Sequence, residues 1–284
     1  MQAQTTSQVT LETLMEFAAL DVTLADGIAT IALNRPDHAN AINMLMWQAI
    51  RQAMAWLDET PQARVGIITG KGKYFSAGID LSLLAGIDAV IADECAGRSR
   101  EKLRRLVLDL QDTLTSIERC RKPVLAAING ACIGGGLDLA CACDVRYCSA
   151  EAYFTIKEID VGMTADLGTL QRLPRLVGEG MARELAYTGR RLEGTEALEI
   201  GLVNRCFPDS GALLHGVLDI ARAIAAKSPL SVRGAKEMIT YTRDHSVADS
   251  LNYVATWNAA MLLSQDLAEA SRSAREKRAP AFRD

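Results

Sequence analysis

Histidine is scarce in this chain, with three copies: His38, His215 and His245. His245 follows Asp244, but no GxSxG nucleophile elbow exists for that pair to serve, and the other two lie in polar or helical contexts. The chain therefore offers no serine-hydrolase triad. A basic excess is missing too. Lys and Arg total 31 against 35 acidic residues, a net charge of −4, so no global positive field draws nucleic acid or an anionic membrane. No Lys or Arg precedes Arg35, and Pro280-Ala281-Phe282-Arg283-Asp284 is not a Ser-Lys-Leu address, so the expected location is the cytoplasm.

The seven cysteines (95, 120, 132, 141, 143, 148 and 206) contain no CxxC pair and are odd in number. They read as reduced core fillers, and the spacing of Cys141 and Cys143 suits no usual zinc geometry, so no metal is expected. The most apolar run, Val124 to Cys143, holds Asn129, Asp138 and four glycines, which argues against a membrane span. Phosphate-binding loops are absent as well. Gly134-Gly135-Gly136 lacks the third glycine of GxGxxG, since position 139 is Leu, and Gly66-Ile67-Ile68-Thr69-Gly70-Lys71 is one residue short of a P-loop.

What remains is a chain of 284 residues, 49% apolar and 23% charged, ordinary for a globular protein with a packed core. Alternation over Ala19–Leu24 and Ile28–Leu33 around Ala25-Asp26-Gly27 predicts a hairpin. Met44–Asp58 and Glu101–Glu118 have helical periodicity, Val65–Thr69 and Val124–Asn129 read as buried strands, and Val145–Ser149 and Ala152–Thr155 follow as further strands. Residues 81–105 look irregular, a candidate mobile cover. From Thr169 onward the pattern is helical: 169–177, 179–188, 193–200, 210–227, 229–243 and 246–265. Tyr253, Trp257 and Met261 form a packing stripe on the last of these. Mixed strands and helices followed by helices alone predict an α/β core with a helical appendage. The expected divisions are a loose arm over 1–18, a core over 19–205 and a helical region over 206–284.

Three carboxylates punctuate the apolar stretch: Asp138 after the triple glycine, Glu158, and Asp166 before Leu167-Gly168-Thr169. Acids beside glycine-rich turns in a core-like sequence pay a desolvation penalty, and chemistry is a common reason to retain them. Each has a plainer reading: Asp138 as a first-turn helix acid, Glu158 as a surface residue beside Lys157, and Asp166 as a helix cap. Two further features favour chemistry. The triglycine can present bare backbone N–H groups at a helix start, and Phe75-Ser76-Ala77-Gly78-Ile79-Asp80 is a second small-residue turn able to supply the other half of an oxyanion hole. Two separated acids and a stabilised anion between them are what an isomerase needs.

These segments resemble the crotonase (enoyl-CoA hydratase/isomerase) superfamily. The resemblance rests on Lys122-Pro123-Val124 through Asn129-Gly130, on Gly134-Gly135-Gly136-Leu137-Asp138-Leu139, and on Cys143-Asp144-Val145-Arg146-Tyr147. Asn34-Arg35-Pro36 with Asn40-Ala41, the turn at 75–80 and Gly168-Thr169-Leu170-Gln171-Arg172-Leu173-Pro174 extend it to roughly residues 20–275. An ordinary hydratase has Glu at the position of Asp138 and Gly at that of Asp166. The acids here, and Arg243-Asp244-His245-Ser246-Val247 with Trp257-Asn258, resemble the dienoyl-CoA isomerase branch instead.

That resemblance implies a spiral of β-β-α units with a helical C-terminal trimerisation region, assembled as a trimer or a dimer of trimers. It implies an acyl-CoA thioester substrate, with CoA part of the substrate and no separate cofactor, in the β-oxidation of unsaturated fatty acids. It assigns catalysis to Asp138, Glu158 and Asp166. The thioester oxygen falls to the N–H groups of Ala77 and Gly135, and substrate contacts to Ser76, Gly78, Ile79, Asp80 and Gly136. A 2-enoyl-CoA hydratase is the nearer rival. An RNA-binding relative is remoter, since the helix at 44–58 carries only Arg51 as a basic residue.

Overall fold

A computed structural model describes residues 15–284. Three strands open it, β1 (Met15–Phe17), β2 (Leu20–Ala25) and β3 (Ile28–Leu33), antiparallel in succession. Asp26 and Gly27 take φ of 51° and 78°, the positive values a two-residue hairpin turn needs. The expected loose arm over 1–18 is thus partly a paired strand over 15–17, and residues 1–14 lie outside the described residues.

From β3 the chain winds as a spiral. Helix α1 (Met44–Glu59) starts where the Asn43 side chain accepts from the Met46 N–H at 3.0 Å, and β4 (Val65–Gly70) then joins β3 in parallel. Helix α2 (Leu81–Ile91) and the start of α3 (Ala96–Arg119) occupy the stretch expected to be irregular, and the rest of α3 is the helix expected over 101–118. Next come β5 (Val124–Ile128), the short β6 (Ala131–Ile133), α4 (Gly135–Ala142), β7 (Val145–Ser149) and β8 (Tyr153–Thr155). Helices α5 (Thr169–Val177) and α6 (Glu179–Thr188), β9 (Leu192–Glu193), α7 (Gly194–Glu199) and β10 (Arg205–Phe207) complete the winding. Helices α8 (Ser210–Ala225), α9 (Pro229–Tyr241), α10 (Val247–Met261) and α11 (Gln265–Glu276) follow.

Two sheets emerge. The larger has the order β1-β2-β3-β4-β5-β7-β10, parallel from β3 onward, and the smaller has β6-β8-β9. Single bridges extend the smaller one, Ser76 to Cys132 and Ile42 to Ile79. Each turn of the spiral therefore gives a strand to the large sheet, a short extended piece to the small one, and then a helix. That is the expected α/β fold of β-β-α units.

Strand periodicity decides which face meets which helix. Ile67, Leu125 and Ala127 pack with Leu213, Val217 and Ala221 of α8, while Ile68, Ala126 and Ile128 turn to the main core with Trp47, Ile50 and Met54 of α1. With both faces covered, β4 and β5 are buried at every position and read as apolar runs without alternation. The boundary expected at 205/206 does not separate core from appendage. It runs through β10, and α8 belongs to the core.

Asn40 fastens the loop that leads from β3 toward the small sheet. Fully buried and at φ 53°, it donates to the carbonyls of Lys71 (3.0 Å) and Tyr74 (2.7 Å) and accepts from the Arg35 N–H (2.9 Å). Asn40→Ala leaves three partly buried backbone partners without their hydrogen bonds and puts alanine in a left-handed conformation. It should cost about 3 kcal/mol of stability, read as a lower denaturant midpoint at unchanged m-value.

Candidate active site

The site forms where the turn at 75–80 meets the start of α4. The two segments touch through backbone. A Cβ on Gly78, whose φ is 91°, would stand 2.6 Å from the Ile133 carbonyl oxygen and 3.3 Å from the Gly135 nitrogen. One on Gly136 would stand 2.9 Å from the Ser76 Cβ. Glycine at these positions is what lets the two chains meet.

Which N–H groups remain free follows from the hydrogen bonds. Ala77, expected as an oxyanion donor, gives its N–H to the Ala39 carbonyl at 2.9 Å and has nothing left to offer. The Gly78 N–H goes to the Ser76 Oγ at 3.1 Å. Ile79 is different. Its neighbours make the bridge to Ile42, Ile42 N–H to Gly78 O at 2.8 Å and Asp80 N–H to Ile42 O at 3.1 Å, and its own N–H has no acceptor among the described residues. The Gly135 N–H, at the first position of α4, is likewise free, as helix geometry requires. A Cβ on Gly135 would lie 3.4 Å from the Ile79 nitrogen, so the two free donors are neighbours. The donor pair is Ile79 with Gly135, a correction of Ala77.

The expected substrate contacts divide in the same way. Ser76 is fully buried, and its hydroxyl donates to the Asn40 carbonyl at 2.9 Å, a bond internal to the fold. Asp80 caps α2: it accepts from the Ser82 N–H at 3.1 Å and the Ser82 hydroxyl at 2.7 Å, and pairs with Arg35 at 2.8 Å. Ser82 and then Arg35 draw its carboxyl down to about 2. Gly78 and Gly136 serve close packing. Ser76, Asp80, Gly78 and Gly136 therefore build the turn. Ile79 alone of the five also lines an apolar cavity, of about 90 Å³, with Met44, Leu83, Leu84, Ile87, Leu106 and Leu110 among others. Its wall from α2 (Leu83, Leu84, Ile87) falls in 81–105, where the sequence shows no regular period.

The three carboxylates converge. Asp138, on the first turn of α4 and 1% exposed, accepts from the Thr169 N–H at 2.6 Å with Oδ1, and its Oδ2 is buried without a partner. Burial, reinforced by Glu158 and Asp166 and opposed by the Thr169 bonds, pushes its carboxyl up to about 7. Glu158 begins a short 3₁₀ turn (Glu158–Val161), its Oε1 3.0 Å from where a Cβ on Gly134 would stand and its Oε2 buried and unpartnered. Burial raises it too, with the Asp166 charge adding to the effect, and burial also raises Asp166. No Lys or Arg forms an ion pair with any of the three among the described residues; the nearby Lys157 pairs with Asp160 at 2.6 Å. Three carboxyls whose burial favours the protonated form can exchange protons, and the two free N–H donors beside them can stabilise an oxyanion.

The chain belongs to the enoyl-CoA hydratase/isomerase family, whose profile matches residues 23–284. It is 49% identical over 253 residues to the peroxisomal Delta(3,5)-Delta(2,4)-dienoyl-CoA isomerase of Arabidopsis thaliana, covering 89% of this chain and 91% of that one. The mitochondrial enzyme of the same name from Homo sapiens is 43% identical over 264 residues, covering 92% and 80%. Among solved structures, an enoyl-CoA hydratase from Bacillus anthracis superimposes with a TM-score of 0.85 at 33% identity, covering 93% of this chain and 99% of that one.

The raised Asp138 carboxyl has a consequence for stability. Its folded value lies above the ordinary 3.8, so folding takes up a proton, and the stability present below about pH 4 is lost as pH rises toward about 7. Asp138→Asn keeps an acceptor for the Thr169 N–H and removes the titration. Denaturant unfolding across this window should show the variant gaining on the wild type as pH rises, and a constant difference between them would contradict it.

Proposed function

We propose that the protein is a Δ3,5-Δ2,4-dienoyl-CoA isomerase that shifts two double bonds by removing a proton at C2 and returning one at C6. The observation that carries the reading is Glu158 Oε1 beside Gly134, next to the paired N–H groups of Ile79 and Gly135, with a second raised acid, Asp166, in the same apolar site. A thioester oxygen on those two donors brings C2 toward Glu158.

The steps balance. Glu158, ionised, takes the C2 proton, which the thioester acidifies. The electron pair delocalises through C3–C6 and onto the thioester oxygen, where the two N–H groups meet the developing charge. Asp166, protonated, delivers a proton to C6, leaving double bonds at C2–C3 and C4–C5. Asp138, nearly sequestered from water and with its carboxyl pushed up to about 7 by burial, accepts from the Thr169 N–H and so ties the start of α5, three residues beyond Asp166, to α4. The acyl chain follows the apolar cavity between α2 and α3. No metal or redox cofactor takes part; CoA is carried by the substrate.

Assembly and compartment belong to the same reading. Ile239 (69% exposed), Val247 (70%), Leu251 (62%) and Leu263 (93%) leave the last helices with apolar surface fit to be covered by copies of the chain, as a trimer or a dimer of trimers. The cytoplasm remains the proposed location, although the two isomerases above are named peroxisomal and mitochondrial. No helix among the described residues is long and apolar enough to cross a membrane. Light scattering at micromolar concentration should give a trimer or hexamer; a stable monomer would sink the assembly.

The chemistry is tested with a 3,5-dienoyl-CoA, following the ultraviolet absorbance of the conjugated product. Glu158→Gln should lose on the order of 10²–10⁴-fold in kcat with acyl-CoA binding retained. Asp166→Asn should form little product yet, in deuterated water, still exchange the C2 hydrogen. Full isomerase activity in Asp166→Asn, a competent helix cap, would return a 2-enoyl-CoA hydratase to first place.

A further inference from the structure

Asp166 sits on a segment with little backbone support. Residues 163–166 have no regular structure, and residues 164–167 make no backbone–backbone hydrogen bond among the described residues. Downstream, Thr169 is tied to Asp138. At Asp166 itself the tie comes from a side chain: Gln111 of α3 donates from Nε2 to the Asp166 carbonyl oxygen at 2.5 Å. Beyond it, the Arg172 guanidinium lies against Gly168, where a Cβ would stand 1.8 Å from Nη1, and is held from the far side by Glu118 at 2.6 Å, also on α3.

We propose that Gln111 is the positioning residue for Asp166, and that α3 thereby sets the distance between the acid and the acyl chain. The residue before it, Leu110, lines the apolar cavity. One helix turn thus forms part of the wall for the substrate's tail and holds the backbone of the group that protonates it. The bond is made to the carbonyl and leaves the Asp166 carboxyl free, so it constrains the acid's place without consuming its chemistry. Glu158 has no comparable dependence. Its segment is closed by the Met163 N–H to its own carbonyl at 2.9 Å, and its carboxylate neighbours Gly134. Loosening Gln111 therefore weakens one end of the proton transfer and spares the other.

The inference rests on the reading of Asp166 as the C6 acid, and the test separates the two. Gln111→Met and Gln111→Glu both keep the side chain's reach; the first removes the donor and the second replaces it with a carboxyl. Product formation and C2 hydrogen exchange in deuterated water are measured for both, beside Asp166→Asn and the wild type. Misplacement by about an ångström costs on the order of 10²-fold, so kcat for product should fall by about 10- to 100-fold in both Gln111 variants. KM and C2 exchange should stay near wild type. Wild-type product formation in Gln111→Met, with Asp166→Asn inactive, overturns the positioning role alone. Equal loss of exchange and product in both Gln111 variants also overturns it, since the residue would then support the whole site. Full activity in Asp166→Asn overturns the underlying reading.

Discussion

Residues 76–79 and 133–136 run closer together than side chains permit, and the rest of the site depends on that approach. Gly78 and Gly136 remove the two Cβ atoms that would separate the segments. The parallel bridges Ser76–Cys132 and Ile42–Ile79 then hold the contact in register with the small sheet. Registration decides the chemistry. Every N–H from Ser76 to Asp80 finds an acceptor except that of Ile79, which falls beside the equally free Gly135. An alanine at position 78 would push on the Ile133 carbonyl and move both free N–H groups, so their placement is a property of backbone packing.

Electrostatics follows from where this contact lies. It opens onto an apolar interior, and three carboxyls share that interior with no cation paired to any of them among the described residues. Desolvation is the largest influence on each, and repulsion adds to it at Asp138, from Glu158 and Asp166, and at Glu158, from Asp166. Nearby positive charge is diverted. Arg172, close behind Gly168, is pinned by Glu118, which also binds Arg243. Had Arg172 faced the acids, it would have stabilised their ionised forms and lowered their hold on protons.

Much of this was legible in the sequence. The hairpin, α1, the buried strands β4 and β5 and the helices from Thr169 to Met261 followed from periodicity and turn residues, whereas α11 was not foreseen and the helix expected over 246–265 ends at Met261. Strands β6, β9 and β10 were invisible, since two or three residues carry no alternation to read. The three acids could be singled out because charge stands out in an apolar run. The donor could not. Ala77 and Ile79 differ only in whether a distant carbonyl, that of Ala39, already occupies the N–H, and no local pattern encodes that. Ser76 and Asp80 misled for the same reason: each spends its polar atoms on Asn40, Arg35 or Ser82. Gln111 had a faint signal, a polar residue beside the Leu110–Leu114 stripe of an amphipathic helix.

The position of β10 bears on how the chain reaches this state. It is the last strand in sequence, yet it pairs in parallel with β7 at the edge of the large sheet, and α8 just after it covers one face of β4 and β5. The apolar residues of those central strands cannot be fully enclosed until the polypeptide beyond Phe207 has been synthesised. Parallel pairing across such separations gives a high contact order and hence slow folding. A ribosome-bound intermediate ending before α8 would expose the α8-facing side chains of the central strands to solvent and to one another, and is the species on which a chaperone would act.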